Sequence, residues 1–156
     1  MKRQEIIAAL RGRADEAAAI CAGLSEDEMG RVPKDGEWSL LEICCHLRDN
    51  AAEEGTRIRR MVKEDNPTLA PYDPDAWAAE RNYAAEDPKP VLTALRTNWS
   101  RLADLLEGLL DDDWGRGGTH PEAGAVIVET WAADEVKHSA QHLEQMRAAR
   151  AAIGSA

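Results

Sequence analysis

Four stretches of this chain repeat an apolar side chain every three or four residues, a period that fits the buried stripe of an α-helix and not the alternation of a strand. In the first, over residues 2–24, Ile6, Leu10, Ala14, Ala17, Cys21 and Leu24 carry the stripe, and Ser25 marks its end. The second opens at "WSLLE", where Ser39 and Glu42 have the spacing of a capping box with Ser39 as N-cap. Leu40, Ile43, Cys44, Leu47, Ala51, Ile58, Met61 and Val62 continue that stripe to the neighbourhood of Glu64. The third begins with Asp87 as N-cap and Pro88 as first helical residue, then runs through Val91, Leu92, Leu95, Trp99, Leu102, Leu106 and Leu109. The fourth covers residues 126–153, with Gly154 as a C-terminal stop.

The connections are unequal. Between the second and third helices lies "DNPTLAPYDPDAWAAERNYAAED", too long to stay structureless in a compact domain. Its "DPDAWAAERNY" has an N-cap Asp and a first-turn Pro, so a short extra helix is expected there. No strand pattern, internal repeat or low-complexity segment is visible. The expectation is an all-α fold: one domain over residues 1–156, a four-helix bundle with a long crossover between helices two and three.

Charge narrows the partners. With 29 acidic against 19 basic residues the net charge is -10, which repels phosphates and argues against nucleic acid. No apolar run approaches the ~20 residues of a membrane span, and the N-terminus lacks a signal-peptide core. Cys21, Cys44 and Cys45 are odd in number and lack a C-x-x-C, which points to a reducing cytoplasm. The "CCH" at residues 44–46 is not a compact ligand cluster, because neighbours on a helix diverge by ~100°. Cys44 falls at the centre of the stripe as a buried hydrophobe, and Cys45 falls on a flank, where its replacement by Ser is expected to be nearly silent. Arg57, Arg59 and Arg60 read as a solvated charge run rather than a carboxylate-binding cluster. The five Trp read as packing, with Trp77 the best candidate for a pocket wall.

Four histidines remain: His46, His120, His138 and His142. His138 and His142 are four apart, so both imidazoles point the same way, on a face shared with Val128, Trp131, Met146 and Glu135. A carboxylate on that core face needs compensation, and a metal is one compensator. The alternative is a hydrogen-bonded core histidine beside one that reaches water. His46 lies at the edge of its stripe, and the wheel leaves open whether it meets the other two or faces solvent. If it meets them, the site is expected near a bundle end, about two turns past the Ser39 cap.

These residues together resemble the DinB-like superfamily, which includes the YfiT-type candidate metalloenzymes. "WSLLEICCHLRD" is similar to the family's helix-two motif, "YDPDAW" to its crossover, and "RLADLLEGLLDDDWGR" to its third helix and exit. "HPEAG" resembles the loop before the last helix, and "HSAQHLEQM" the closing motif. The resemblance implies a four-helix bundle with His46, His138 and His142 as metal ligands, and His120 outside the ligand set. Two departures stand out: Ser139 where many relatives have Asp, and Ile127 where Thr is common.

Three histidines leave open positions on an ion, as in catalytic rather than structural sites. The resemblance implies a divalent metal (Zn, Ni or Fe) and a low-molecular-weight thiol, such as bacillithiol or mycothiol, as cofactors. The expected activity is that of an enzyme turning a small thiol or water against a small-molecule electrophile. Glu135 or Glu42 would act as base or orient a ligand. The alternatives are a non-catalytic metal-binding or homodimeric bundle, and a helical module without metal. A homodimer, with no nucleic acid or membrane partner, is the expected assembly.

Overall fold

The apolar repeats become four long helices in the computed structural model, which describes residues 1–154. These are α1 (Arg3–Cys21), α3 (Leu40–Lys63), α5 (Pro88–Glu107) and α6 (Val128–Gly154). Two short helices sit in the connections, α2 (Glu26–Met29) and α4 (Pro74–Glu80). The capping box closes as its spacing predicts: Ser39 Oγ accepts the Glu42 N–H (3.1 Å) and the Glu42 carboxylate accepts the Ser39 N–H (3.2 Å). Asp87 caps α5 ahead of Pro88, and Asp73 caps α4 ahead of Pro74, the short crossover helix expected from the sequence. Ser25 does more than end α1, since its side chain caps α2. The chain beyond Gly154, the predicted stop, lies outside the described residues.

The helices pack around a square. α3 lies against α5 and α6, and α1 lies against the same two from the opposite corner. The first two long helices are therefore diagonal, and α3 and α6 share a seam. Their apolar stripes build the core in two blocks. One gathers Leu40, Ile43, Cys44, Leu47, Leu95, Trp99, Leu143 and Met146. The other gathers Ile6, Leu10, Ile58, Met61, Leu102, Val128, Ala132 and Val136. Each Leu, Ile, Val or Met among them taken from water contributes ~1.5–3 kcal/mol.

Between the blocks runs a polar band of Asn50, Glu54, Arg57, Glu135 and Ser139, all buried. Arg13 of α1 reaches into it, donating to Ser139 Oγ (3.0 Å) and to the Val136 carbonyl (3.1 Å). Ser139 thus serves as an interhelical hydrogen-bonding residue. Arg57 corrects the reading of a solvated charge run. It is buried, donates to Glu54 (2.7 Å) and to the Ala70 carbonyl (2.7 Å), and lies between the Tyr72 and Trp131 rings.

A second correction concerns strands. Gly117–His120 (β1) and Gly124–Ile127 (β2) pair antiparallel, with Gly117 opposite Ile127 and His120 opposite Gly124. Each strand has only four residues and three of the eight are glycine, so no alternation was available to read. The hairpin holds the crossover: Thr119 N–H donates to the Pro67 carbonyl and Leu69 N–H to the Thr119 carbonyl, both 2.9 Å. The approach is close enough that a Cβ on Gly118 would lie 2.8 Å from the Pro67 oxygen.

Candidate metal centre

His46 of α3 faces the seam with α6 and not solvent, with 3% of its surface exposed. The helical wheel placed it at a stripe edge because the wheel sees one neighbour at a time. Here α3 is covered by α5, by α6 and by the crossover. The Trp38 ring lies 5.2 Å from the imidazole and the Tyr72 ring 6.5 Å.

His138 and His142 project from the middle of the 27-residue α6 onto the same point. Ring centroids are 4.5 Å apart for His138 and His142, 4.7 Å for His46 and His142, and 5.7 Å for His46 and His138. One nitrogen from each of the three lies within 4.8 Å of the others. Among the described residues, this is the single group of three or more His, Cys, Asp or Glu arranged to hold an ion. His46 lies about two turns into α3 from the Ser39 cap, and the His138–His142 pair stands partway along α6.

The imidazoles are prepared for ligation. His142 Nε2 lies 3.0 Å from His138 Nε2, and its Nδ1 lies 2.8 Å from Gln145 Oε1. An amide oxygen can only accept, so His142 carries its proton on Nδ1 and presents the Nε2 lone pair. In His138 the Nδ1 faces Glu135 Oε2 at 3.7 Å, inside ion-pair range, and Nε2 again faces the cluster. Burial, then the neighbouring His142 and His138, pushes His46 down to about 3. Burial lowers His142, while the Glu135 carboxylate raises His138. A neutral, buried imidazole beside two whose Nε2 atoms meet at one point suits a borderline divalent cation.

Beside the triad opens a cavity of about 420 Å³, lined among others by Asn50, Glu54, Arg57, Trp131, Glu135 and His138. Glu135 is 6% exposed, and Asn50 Nδ2 donates to both its oxygens at 3.0 Å. Glu54 accepts from Arg57 and from Trp131 Nε1. Burial and the charge of Glu135 push it up to about 7. Asn50, Glu54 and Tyr72 are functional candidates that sequence reasoning missed. Only the four-residue spacing of Asn50 from His46 and from Glu54, which aligns all three on one side of α3, hinted at them.

The other candidates separate. Glu135 stands beside His138, whereas the Glu42 carboxylate is engaged in the Ser39 cap. His120 lines the cavity but caps a turn, its Nδ1 accepting the N–H groups of Glu122 (3.1 Å) and Ala123 (3.2 Å). Trp77 stacks on Tyr72 at 4.0 Å and lies outside the cavity wall, a place taken by Trp131. Cys45, read as a flank residue, is fully buried, with Sγ 3.9 Å from the Tyr83 carbonyl. Burial pushes its thiol up, and the adjacent Cys21 thiol together with burial does the same to Cys44, so neither offers a thiolate.

Comparison with known proteins places the fold and the family. A protein of Geobacillus kaustophilus, named as a candidate metal-dependent hydrolase, is 28% identical over 149 residues, covering 94% of this chain and 83% of its own. The structure of YfiT from Bacillus subtilis, described as a candidate metal-dependent hydrolase with an unusual four-helix bundle topology, superposes with a TM-score of 0.89. It is 23% identical, covering 98% of this chain and 88% of its own. The mycothiol-dependent maleylpyruvate isomerase shares the fold at a TM-score of 0.69 and 14% identity, covering 92% of this chain and 58% of its own. No helix among the described residues is long and apolar enough to cross a membrane. The DinB superfamily model matches residues 9–146, nearly the whole bundle with all three clustered histidines, and the chain therefore belongs to the DinB superfamily.

Proposed function

We propose that this chain is a metal-dependent enzyme of hydrolase type, in which His46, His138 and His142 hold one divalent ion, zinc, nickel or iron, beside a cavity for a small-molecule substrate. The observation that carries the reading is the convergence of three imidazole nitrogens within 4.8 Å at the edge of that cavity. When bound, such an ion supplies Lewis acidity and lowers the pKa of a water or thiol at the site. The chain's own groups do the rest. Burial keeps His46 neutral, and Gln145 holds the His142 tautomer. Glu54, raised by burial and held by Arg57 and Trp131, takes up and returns a proton near neutral pH. The Trp131 ring and the polar band shape the pocket and limit water.

A second nucleophile, an external low-molecular-weight thiol, is favoured by two observations. The three cysteines of the chain are buried, so a thiol would have to come from solution, and the fold neighbour is a mycothiol-dependent enzyme.

The experiment begins with metal content by mass spectrometry. Wild type is expected to carry one ion per chain. His46→Ala, His138→Ala and His142→Ala are each expected to lose it, and His120→Ala to keep it. Unchanged stoichiometry in all three triad variants would refute the site. Holo and chelated protein are then assayed on small esters and amides, and on a generic electrophile with bacillithiol, mycothiol, glutathione or cysteine. Metal-dependent turnover that disappears in His142→Ala, with or without thiol, decides the nucleophile. Tight metal binding without turnover across the panel moves the reading to a non-catalytic metal-binding bundle.

A further inference from the structure

Glu135 poses a problem that the fold alone does not solve. It is a carboxylate buried on the core side of α6, and a buried charge without a partner is costly. Among the described residues its one cationic partner is His138; the Arg57 guanidinium goes to Glu54 and Glu53. What holds it is an amide. Asn50, 4% exposed, donates from Nδ2 to both carboxylate oxygens, and its Oδ1 accepts the Tyr72 hydroxyl at 2.5 Å.

The donors of this series run in a single consistent direction. Tyr72 O–H donates to Asn50, Asn50 N–H donates to Glu135, and Glu135 Oε2 faces His138 Nδ1 at 3.7 Å. Turning the Asn50 amide over would set its oxygen against a carboxylate, so Glu135 fixes the amide and leaves Oδ1 for the Tyr72 donor. Burial pushes the Tyr72 phenol up, which keeps it a donor. The Tyr72 ring is itself fixed by stacking on Trp77 at 4.0 Å, with an interplanar angle of 17°. A carboxylate facing the Nδ1 of a histidine is the arrangement that selects the Nε2 lone pair for an ion and fixes the ring plane.

We propose that Asn50 and Tyr72 are positioning residues, which lock Glu135 against His138 and thereby tie the crossover to the orientation of one metal-facing imidazole. The proposal rests on the reading of the triad as a metal centre. It gives the long crossover a definite role, because one hydroxyl from it completes a hydrogen-bonded series that ends at Glu135, whose carboxylate lies 3.7 Å from the ring of a ligand. It also explains why position 50 holds Asn. An Asp there would oppose Glu135, and a Leu would leave the carboxylate without a donor.

The test uses the full chain with Zn²⁺ as probe, titrated against a chromophoric chelator. Asn50→Leu and Glu135→Leu are each expected to weaken Zn²⁺ binding by ~10–100-fold. The double variant is expected to be no weaker than Glu135→Leu, because Asn50 acts through the carboxylate. Glu135→Gln retains an accepting oxygen and is expected to recover most of the affinity. Tyr72→Phe keeps the ring on Trp77 and removes only the O–H, for an expected loss of about 5-fold. Co²⁺ in place of Zn²⁺ gives an independent signature: the visible band is expected to shift in Asn50→Leu and to be nearly unchanged in Glu135→Gln. Melts in chelator confirm that each variant folds. Wild-type affinity in Asn50→Leu and Tyr72→Phe, or additive losses in the double variant, would overturn the positioning role while leaving the metal centre standing. Failure of the wild type itself to bind Zn²⁺ would instead defeat the metal-centre reading, and the proposal with it.

Discussion

The two adjacent cysteines illustrate how far a single helix can be read. Cys44 lies at the centre of the α3 stripe and is fully buried, as its position in the period requires. Cys45 lies ~100° away, where one helix and one partner would leave it exposed. It is buried because the crossover folds back and brings Tyr83 over it. The two variants should therefore behave alike. Cys44→Ala is expected to cost ~1 kcal/mol through lost packing. Cys45→Ser, which trades a buried thiol 3.9 Å from the Tyr83 carbonyl for a shorter, more polar hydroxyl, is expected to cost ~1–2 kcal/mol. Urea denaturation of both, with metal content measured in parallel, checks this. Both are expected to keep the metal, and a silent Cys45→Ser would mean the crossover does not pack there.

At the scale of elements, helix ends were legible and the hairpin was not. Ser39, Asp73 and Asp87 announce their helices through local chemistry, a side chain bonding N–H groups two or three residues on. The strands β1 and β2 are defined by pairing with each other and with residues 67–69, and nothing within "GGTH" or "GAVI" requires that pairing. The glycines do carry its trace. A Cβ at Gly118 would meet the Pro67 carbonyl oxygen at 2.8 Å and the Leu69 side chain at 3.3 Å. Gly118→Ala is thus expected to destabilise the protein by ~1–3 kcal/mol. It should also loosen the crossover, raising hydrogen exchange at the Leu69 and Thr119 amides, which donate across that contact. Unchanged protection at both amides would show that the close approach is dispensable.

For the molecule as a whole, two buried groups pull acid stability in opposite directions. His46 has its folded pKa lowered to about 3 by burial and the other imidazoles. Its unfolded value is ~6.5. Between those values the unfolded chain binds more protons, so this contribution is complete above the unfolded pKa and is lost as pH falls, at up to ~1.4 kcal/mol per pH unit. Glu54 runs the other way. Its folded pKa is raised to about 7, so its contribution is complete below the unfolded value and is lost as pH rises. In the metal-free protein the two slopes cancel between roughly pH 4.5 and 6.5, and His46 prevails below. Glu86, held low by its paired hydrogen bonds to Arg48 (2.8 and 2.7 Å), adds to that acid loss. Chelated protein is expected to show a flat urea midpoint across the upper range and a fall beneath it, with the fall reduced in His46→Phe. Bound metal adds stability that is present above neutral pH and fades toward pH ~5, as protons compete for the imidazoles. A steady decline of the chelated protein from pH 6.5 downward would contradict the opposed pair.

What the sequence by itself determined is local and periodic. Stripes at three and four set the helices, Ser, Asp and Pro set their starts, and the spacing of His138 and His142 put two imidazoles on one core-facing side. Those signals survive without the fold because they act within one or two turns of the same helix. The tertiary structure alone decided that α3 and α6 share a seam, which brings His46 to the pair. It also set Asn50 against Glu135 across 85 residues of chain, and hung Tyr72 over both from the crossover. Each of these joins groups whose proximity depends on how the core packs. A helical period fixes the direction in which a side chain points, and only packing decides what it meets there.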